Sequence, residues 1–280
     1  MLYFEVKENP ESRQIKRFSL FAGKAAPGYC TAKAIIRFIY CLGRKINNDP
    51  IVGQKLKIAF IENYNVSKAE VIIPGTDLSE QISTAGLEAS GTGNMKFSIN
   101  GALTIATDDG ANVEMRQEIT NEWWPFMFGA SSHDNLEMRR SHSYNPLDIY
   151  ASEPKIKQAL NALKDGSLVE NDAEHQALQL LYNSLVEGPP GVIADRFFVL
   201  NDLMAYYEMQ KKVEALYLNP SEWAKYCLHN IAGMGTFSAD VSIKNYAEKI
   251  WGLSPCPPDP KILAEVRHEY SEHDRCRVIQ

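Results

Sequence analysis

Phe18-Ser19-Leu20-Phe21-Ala22-Gly23 opens the passage that decides the fold; Lys24 to Gly28 follow, then Tyr29 to Leu42, and finally Leu56-Lys57-Ile58-Ala59-Phe60-Ile61. The first and last runs are short, apolar and bounded by turn residues, as buried strands are. Between them Ala34, Ile35, Phe38, Ile39 and Leu42 recur at helical spacing, and Pro27-Gly28 marks where that helix starts. Strand, glycine turn, amphipathic helix and strand make a βαβ unit, the building block of parallel sheets.

Working outward, Asn63-Tyr64-Asn65 leads into a short helix through Val71 that Pro74-Gly75 ends. Leu103-Thr104-Ile105-Ala106-Thr107 reads as a third strand closed by Asp108-Asp109-Gly110, and Pro125-Phe126-Met127-Phe128-Gly129 as a fourth. The alternation predicts an α/β fold, a doubly wound parallel sheet of the Rossmann-like kind. Past about residue 150 the pattern turns helical, over Leu200 to Tyr217, Glu222 to Ile231 and Ser238 to Trp251, with Ser221 and Asp240 suited to N-caps. Four prolines in Ser254 to Pro260 cannot continue a helix and predict an extended connector to a polar tail. Two parts follow: an α/β domain over 1–253, helix-rich after about 150, and a Pro-rich connector and tail over 254–280.

With 280 residues, 45% of them hydrophobic, the chain can bury roughly three quarters of its unfolded surface, which excludes disorder and any need for disulfide staples. Five scattered cysteines, with no CxxC, fit a reducing cytosol. No basic leader with an apolar stretch opens the chain and no run approaches the length of a membrane span, so neither export nor a membrane is expected. The six histidines show no metal-ligand spacing, and no metal is expected. Net charge is −6, yet residues 1 to 60 hold 11 Lys/Arg against 4 Asp/Glu, leaving 18 against 31 for the remainder. That basic fifth could face a phosphate or be a solvated Lys-rich surface. No aromatic-interleaved basic stripe points to nucleic acid.

The segment richest in chemistry is Glu88-Ala89-Ser90-Gly91-Thr92-Gly93-Asn94-Met95-Lys96-Phe97-Ser98-Ile99-Asn100. Glycines on either side of Thr92 let backbone amides converge on an anion, so Gly91 to Gly93 could hold a phosphate or form a plain turn. If a helix starts at Thr92, Lys96 lies one turn further on the same face. A lysine amine beside a phosphate nest is what a pyridoxal phosphate enzyme needs; composition alone favours reading Lys96 as a snorkelling surface lysine.

Glu88 to Asn100 closely resembles the pyridoxal phosphate signature of the α-glucan (glycogen, starch and maltodextrin) phosphorylase family. Flanking stretches agree: Gly23 to Tyr29, Asn48 to Gly53, Asp77 to Gly86 and Asp109 to Glu114, then Asn219-Pro220 with Trp223, Asn230 to Ala232, Phe237 to Asp240, Tyr246-Ala247 and Ile250-Trp251. The resemblance runs from about residue 17 to 253, strongest through Met115.

The resemblance implies a carboxyl-terminal domain of the GT-B type that binds pyridoxal 5'-phosphate. Lys96 would carry the cofactor as a Schiff base, Thr92 and Gly93 would bind its phosphate, and Tyr64 would lie near it. Glu88 would accept hydrogen bonds from glucose hydroxyls, and Ser90 and Gly91 would offer amides to the same sugar; Lys96 and Glu88 are thus the catalytic candidates. The implied reaction is phosphorolysis of α-1,4-glucan by inorganic phosphate to glucose 1-phosphate, with retention, in the cytoplasm.

Departures from the family pattern are Ile99, where Leu or Met is usual, and Asn65, where animal enzymes carry an arginine. Family members are much longer, so the chain is expected to be a fragment or split product that lacks full activity alone and completes its site with the missing amino-terminal domain or in a homo-oligomer. The alternative is a non-catalytic pyridoxal phosphate-binding or assembly module. An aminotransferase finds no support, and the full signature argues against a sugar-nucleotide glycosyltransferase.

Overall fold

A computed structural model describes residues 1–188 and 192–277. The chain divides into two units, Met1–Met234 and Gly235–Gln280.

The first unit is a mixed α/β fold with parallel strands. Helix α1 (Leu2–Glu8) precedes β1 (Arg17–Ala22), α2 (Cys30–Asn48) and β2 (Leu56–Ile61). β1 and β2 pair in parallel from Arg17 opposite Leu56 to Ala22 opposite Ile61, the βαβ unit expected from the periodicity. In α2, Ala34, Cys41 and Ile46 are buried while Ile35 faces out, so the buried stripe is rotated slightly from the one read in sequence. After α3 (Val66–Ile72), β3 (Leu78–Gln81) runs to α4 (Gly93–Ile99), β4 (Leu103–Ala106) and α5 (Asn112–Ile119). β3 pairs with β4 in parallel, from Leu78 opposite Leu103 to Gln81 opposite Ala106.

Among the described residues these four strands form two two-stranded sheets. The fourth strand expected over Pro125 to Gly129 is not one. It contributes a single parallel bridge, Met127 to Ala106, made by Ala106 N on Phe126 O and Phe128 N on Ala106 O, both at 3.0 Å.

Helices then take over: α6 (Ser132–Ser141), α7 (Pro146–Ser152), α8 (Pro154–Asn161), α9 (Asp172–Tyr182), α10 (Val199–Tyr217) and α11 (Pro220–Gly233). One core packs α2 against α8, α9 and the start of α10 through Ala34, Cys41, Ile156, Leu160, Leu178 and Leu200. A second packs β4 against α10 and α11 through Leu103, Ile105, Met209, Val213 and Trp223.

Charge also joins the layers. Arg13, 4% exposed, pairs with Glu5 at 3.0 Å and with Glu214 of α10. Arg17 of β1 reaches Glu214 at 3.1 Å and the Gln210 side chain. The Gln210 amide and the Tyr206 hydroxyl in turn donate to Glu80 of β3, at 2.9 and 2.8 Å.

In the second unit α12 (Ala239–Tyr246) continues into a wider turn through Trp251, and residues 252–259 carry no regular structure, as the prolines require. The expected polar tail is helical, as α13 (Pro260–Arg277), with Pro at its first position, where a missing amide costs nothing. The caps also differ from expectation. Asn219, not Ser221, caps α11 by accepting from Glu222 N, and Ser238, not Asp240, caps α12 by accepting from Asp240 N and Val241 N. Among the described residues no helix is long and apolar enough to cross a membrane.

Candidate functional site

The carboxyl ends of β3 and β4 lie side by side because the strands are parallel and in register. Two segments leave these ends: a long loop from Ile82 to Thr92 that enters α4, and a short turn from Thr107 to Ala111 that enters α5. Crevices outside the carboxyl ends of parallel strands are where such folds place ligands.

Loop and turn are joined by hydrogen bonds. Thr107 N donates to Gln81 O at 3.2 Å and its hydroxyl to Ser83 O at 2.6 Å, so the ladder continues past both strands. Asp109, 5% exposed, accepts from Gly86 N at 2.8 Å, Glu88 N at 2.9 Å and the Ser83 hydroxyl at 2.9 Å. Ala111 N donates to Ser90 O at 2.7 Å. Gly110, at φ +53°, lies under that carbonyl: a β-carbon there would come within 2.5 Å of Ser90 O and 3.2 Å of Glu88 Cγ. Only glycine permits that approach.

A separate pair holds α4. The buried Asn94 side chain donates to Asn112 Oδ1 at 2.9 Å, and Asn112 Nδ2 donates to Thr107 O at 3.3 Å. Further out, the Thr84 hydroxyl donates to Phe197 O at 2.7 Å and Asn135 Nδ2 to Ala85 O at 3.1 Å. Phe197 lies between Asp195 and Phe198, both at positive φ. The Asp195 carboxylate, its pKa raised by burial, steadies that turn by accepting from Val199 N and Leu200 N.

Most residues singled out in sequence fall on this frame. Gly91 bends at φ +85° and Thr92 takes the cap position of α4 without a side-chain cap bond. The amides of Ser90, Gly91, Thr92 and Gly93 find no acceptor among the described residues. Lys96 lies one turn along α4, its amide on Thr92 O at 3.3 Å, and its exposed amine has no hydrogen bond or ion pair among the described residues. Glu88 is exposed, its carboxylate equally free, and the Ser90 hydroxyl donates to Gly91 O at 3.1 Å.

Tyr64 stands apart, half-buried on the loop after β2, and no hydrogen bond or ring contact among the described residues ties it to residues 88–96. Its neighbour Asn65 caps α3 by accepting from Lys68 N at 3.1 Å, a structural use for a residue that departs from the family pattern. Asp109, Asn112 and Asn94 carry the frame yet were not singled out as site residues. Their signal in the sequence is their place in the family-like stretches, Asn94 within Glu88 to Asn100 and Asp109 and Asn112 within Asp109 to Glu114.

A family model described as carbohydrate phosphorylase matches residues 1–253. Glycogen phosphorylase of Chlamydia pneumoniae is 47% identical over 250 residues, which are 89% of this chain and 29% of that protein. The human brain form of glycogen phosphorylase is 45% identical over 264 residues, and the muscle form of Oryctolagus cuniculus 44% identical over 266; each match covers 93% of this chain and 30% of the relative. The chain thus spans about 30% of the length of these relatives. Since the match takes in both strand pairs, the glycine-bent loop and the turn that holds it, the chain belongs to the carbohydrate phosphorylase family.

Proposed function

We propose that this chain is the carboxyl-terminal, cofactor-holding part of an α-glucan phosphorylase, a cytoplasmic glycosyltransferase, and that its strands belong to the doubly wound sheet of a GT-B domain. The observation that carries the reading is a row of four amides, Ser90 to Gly93, that find no acceptor among the described residues, set between the Glu88 carboxylate and the Lys96 amine, which have no partner among them either.

That donor set fits pyridoxal 5'-phosphate. Lys96 would hold the cofactor covalently through its amine, while the Thr92 and Gly93 amides and the Thr92 hydroxyl would take its phosphate. Bound there, the cofactor would supply a second phosphate group able to exchange a proton with the inorganic phosphate substrate. The amides stabilise negative charge where two phosphates approach each other, without reorganising as charge builds. Glu88 would accept from glucose hydroxyls, Ser90 and Gly91 would donate to the same sugar, and Tyr64 would border the cofactor. The remaining walls, including cations that offset the paired phosphates, would come from the portion of the relatives' length this chain does not span, as an amino-terminal domain or in a homo-oligomer. Phosphorolysis of α-1,4-glucan to glucose 1-phosphate with retention is then the activity of the longer assembly.

The test is the absorbance spectrum of the purified chain with and without pyridoxal phosphate, followed by borohydride reduction and peptide mass mapping. A reduced adduct on Lys96, lost in Lys96→Ala, is expected. An adduct confined to other lysines, or one surviving in Lys96→Ala at equal yield, would overturn the assignment.

A further inference from the structure

Asp109 and Asn112 sit three positions apart after β4 and hold different halves of the site. All three donors on the Asp109 carboxylate, Gly86 N, Glu88 N and the Ser83 hydroxyl, belong to the loop that carries Glu88. Asn112 instead accepts from Asn94, on the helix that carries Lys96, and donates to the strand-end carbonyls of Gln81 and Thr107. No ion pair neutralises Asp109 among the described residues, so its charge is met by these loop donors alone.

We propose that Asp109 is the positioning residue of the sugar-facing loop and acts independently of the anchoring of the cofactor lysine. The proposal rests on the reading above, which gives Glu88 to the sugar and Lys96 to the cofactor. A carboxylate only accepts, so it can gather three converging donors into one geometry. An asparagine must turn its amide hydrogens toward at least one of them, leaving that donor unmatched in a nearly closed site. The loop then loses a bond at Gly86 N or at Glu88 N, the two amides that fix the backbone from which the Glu88 side chain projects. Helix α4 keeps the Asn94 to Asn112 bond, and with it the placement of Lys96.

The experiment uses the full chain with pyridoxal phosphate, comparing the parent with Asp109→Asn and Gly110→Ala. In Gly110→Ala the new β-carbon would come 2.5 Å from Ser90 O, which displaces the loop while leaving the carboxylate in place. Three quantities are measured: hydrogen exchange at the Gly86 and Glu88 amides against Phe97 and Ser98 of α4, the yield of borohydride-reduced adduct on Lys96, and the binding of glucose by ligand-observed NMR. In each variant, exchange at Gly86 and Glu88 should quicken and glucose binding should weaken, both about tenfold, a factor fitting one lost charge-assisted bond. Exchange in α4 and the adduct yield should stay unchanged. Should Asp109→Asn fail to fold, Gly110→Ala carries the comparison.

Unchanged protection at Gly86 and Glu88, or protection lost equally in α4 with loss of the adduct, would overturn the proposal. Absence of the Lys96 adduct in the parent would instead overturn the cofactor reading. The exchange contrast would still decide the role of Asp109.

Discussion

Arg44 of α2 grips Glu174 of α9 with both arms of its guanidinium, Nη1 to Oε1 at 3.1 Å and Nη2 to Oε2 at 2.8 Å, while its Nε reaches Glu170 at 3.0 Å. The Glu174 side chain is 4% exposed, so removing the arginine leaves a buried carboxylate without its counter-charge. Arg44→Ala should lower the unfolding free energy by about 3 kcal/mol. Arg44→Lys should recover only part, because an ammonium cannot make the forked contact. Urea denaturation of the three proteins checks both expectations.

The same pair sets a pH dependence. The hydrogen bonds from Arg44 hold Glu174 at about 2, below its ordinary 4.5, and the bond from Lys7 holds Asp49 at about 2, below 3.8. Both acids bind protons more weakly in the folded chain than in the unfolded one. Their stabilisation is therefore complete above about pH 5 and is lost as pH falls toward 2. Denaturation midpoints measured from pH 7 to pH 2.5 should fall through that window, and Glu174→Gln, though less stable at neutral pH, should show a shallower fall.

The caps give a discriminating pair of substitutions. Asn219 Oδ1 accepts from Glu222 N at 3.3 Å, whereas Ser221 lies inside the first turn of α11 with Pro220 before it. Asn219→Ala should cost about 1 kcal/mol of stability and Ser221→Ala less than about 0.5 kcal/mol. Equal costs in thermal denaturation would contradict the assignment of the cap.

Thiol labelling should separate the cysteines. Burial pushes the Cys41 thiol up to about 11, and the residue is wholly enclosed between α2 and α9, whereas Cys30 and Cys256 are exposed. Iodoacetamide at pH 8 should modify Cys30 and Cys256 in the native chain and Cys41 only after urea is added. Mass mapping reads the three sites separately.

How far the sequence revealed this structure can be seen residue by residue. β1, α2 and β2 were legible because apolar residues recur at strand and helix periods over runs long enough to repeat. β3 was not: Leu78-Ser79-Glu80-Gln81 holds one apolar residue, its buried position is Ser79, and its pairing with β4 comes from register rather than hydrophobicity. The α11 cap differs from the expected one because Pro220 occupies the first helical position, which puts the cap at Asn219, two residues upstream of the more obvious Ser221. At the candidate site, Glu88, Thr92 and Lys96 stood out by type, and so did the glycines. Asp109 did not, since its partners Gly86 and Glu88 lie 23 and 21 residues before it and meet it only once β3 and β4 pair.

Arg13 has a bearing on how the protein is made. Its guanidinium bonds to Glu214, 201 residues further along the chain. At translation speeds of roughly 5–20 residues per second, that partner leaves the ribosome about 10–40 s after the arginine. During that interval Arg13 and Arg17 have no α10 to close against, and both wait for the same glutamate. Arg13 and Arg17 are thus among the last groups of this stretch to find their partner, and a nascent chain halted before Glu214 leaves both guanidinium groups without that carboxylate.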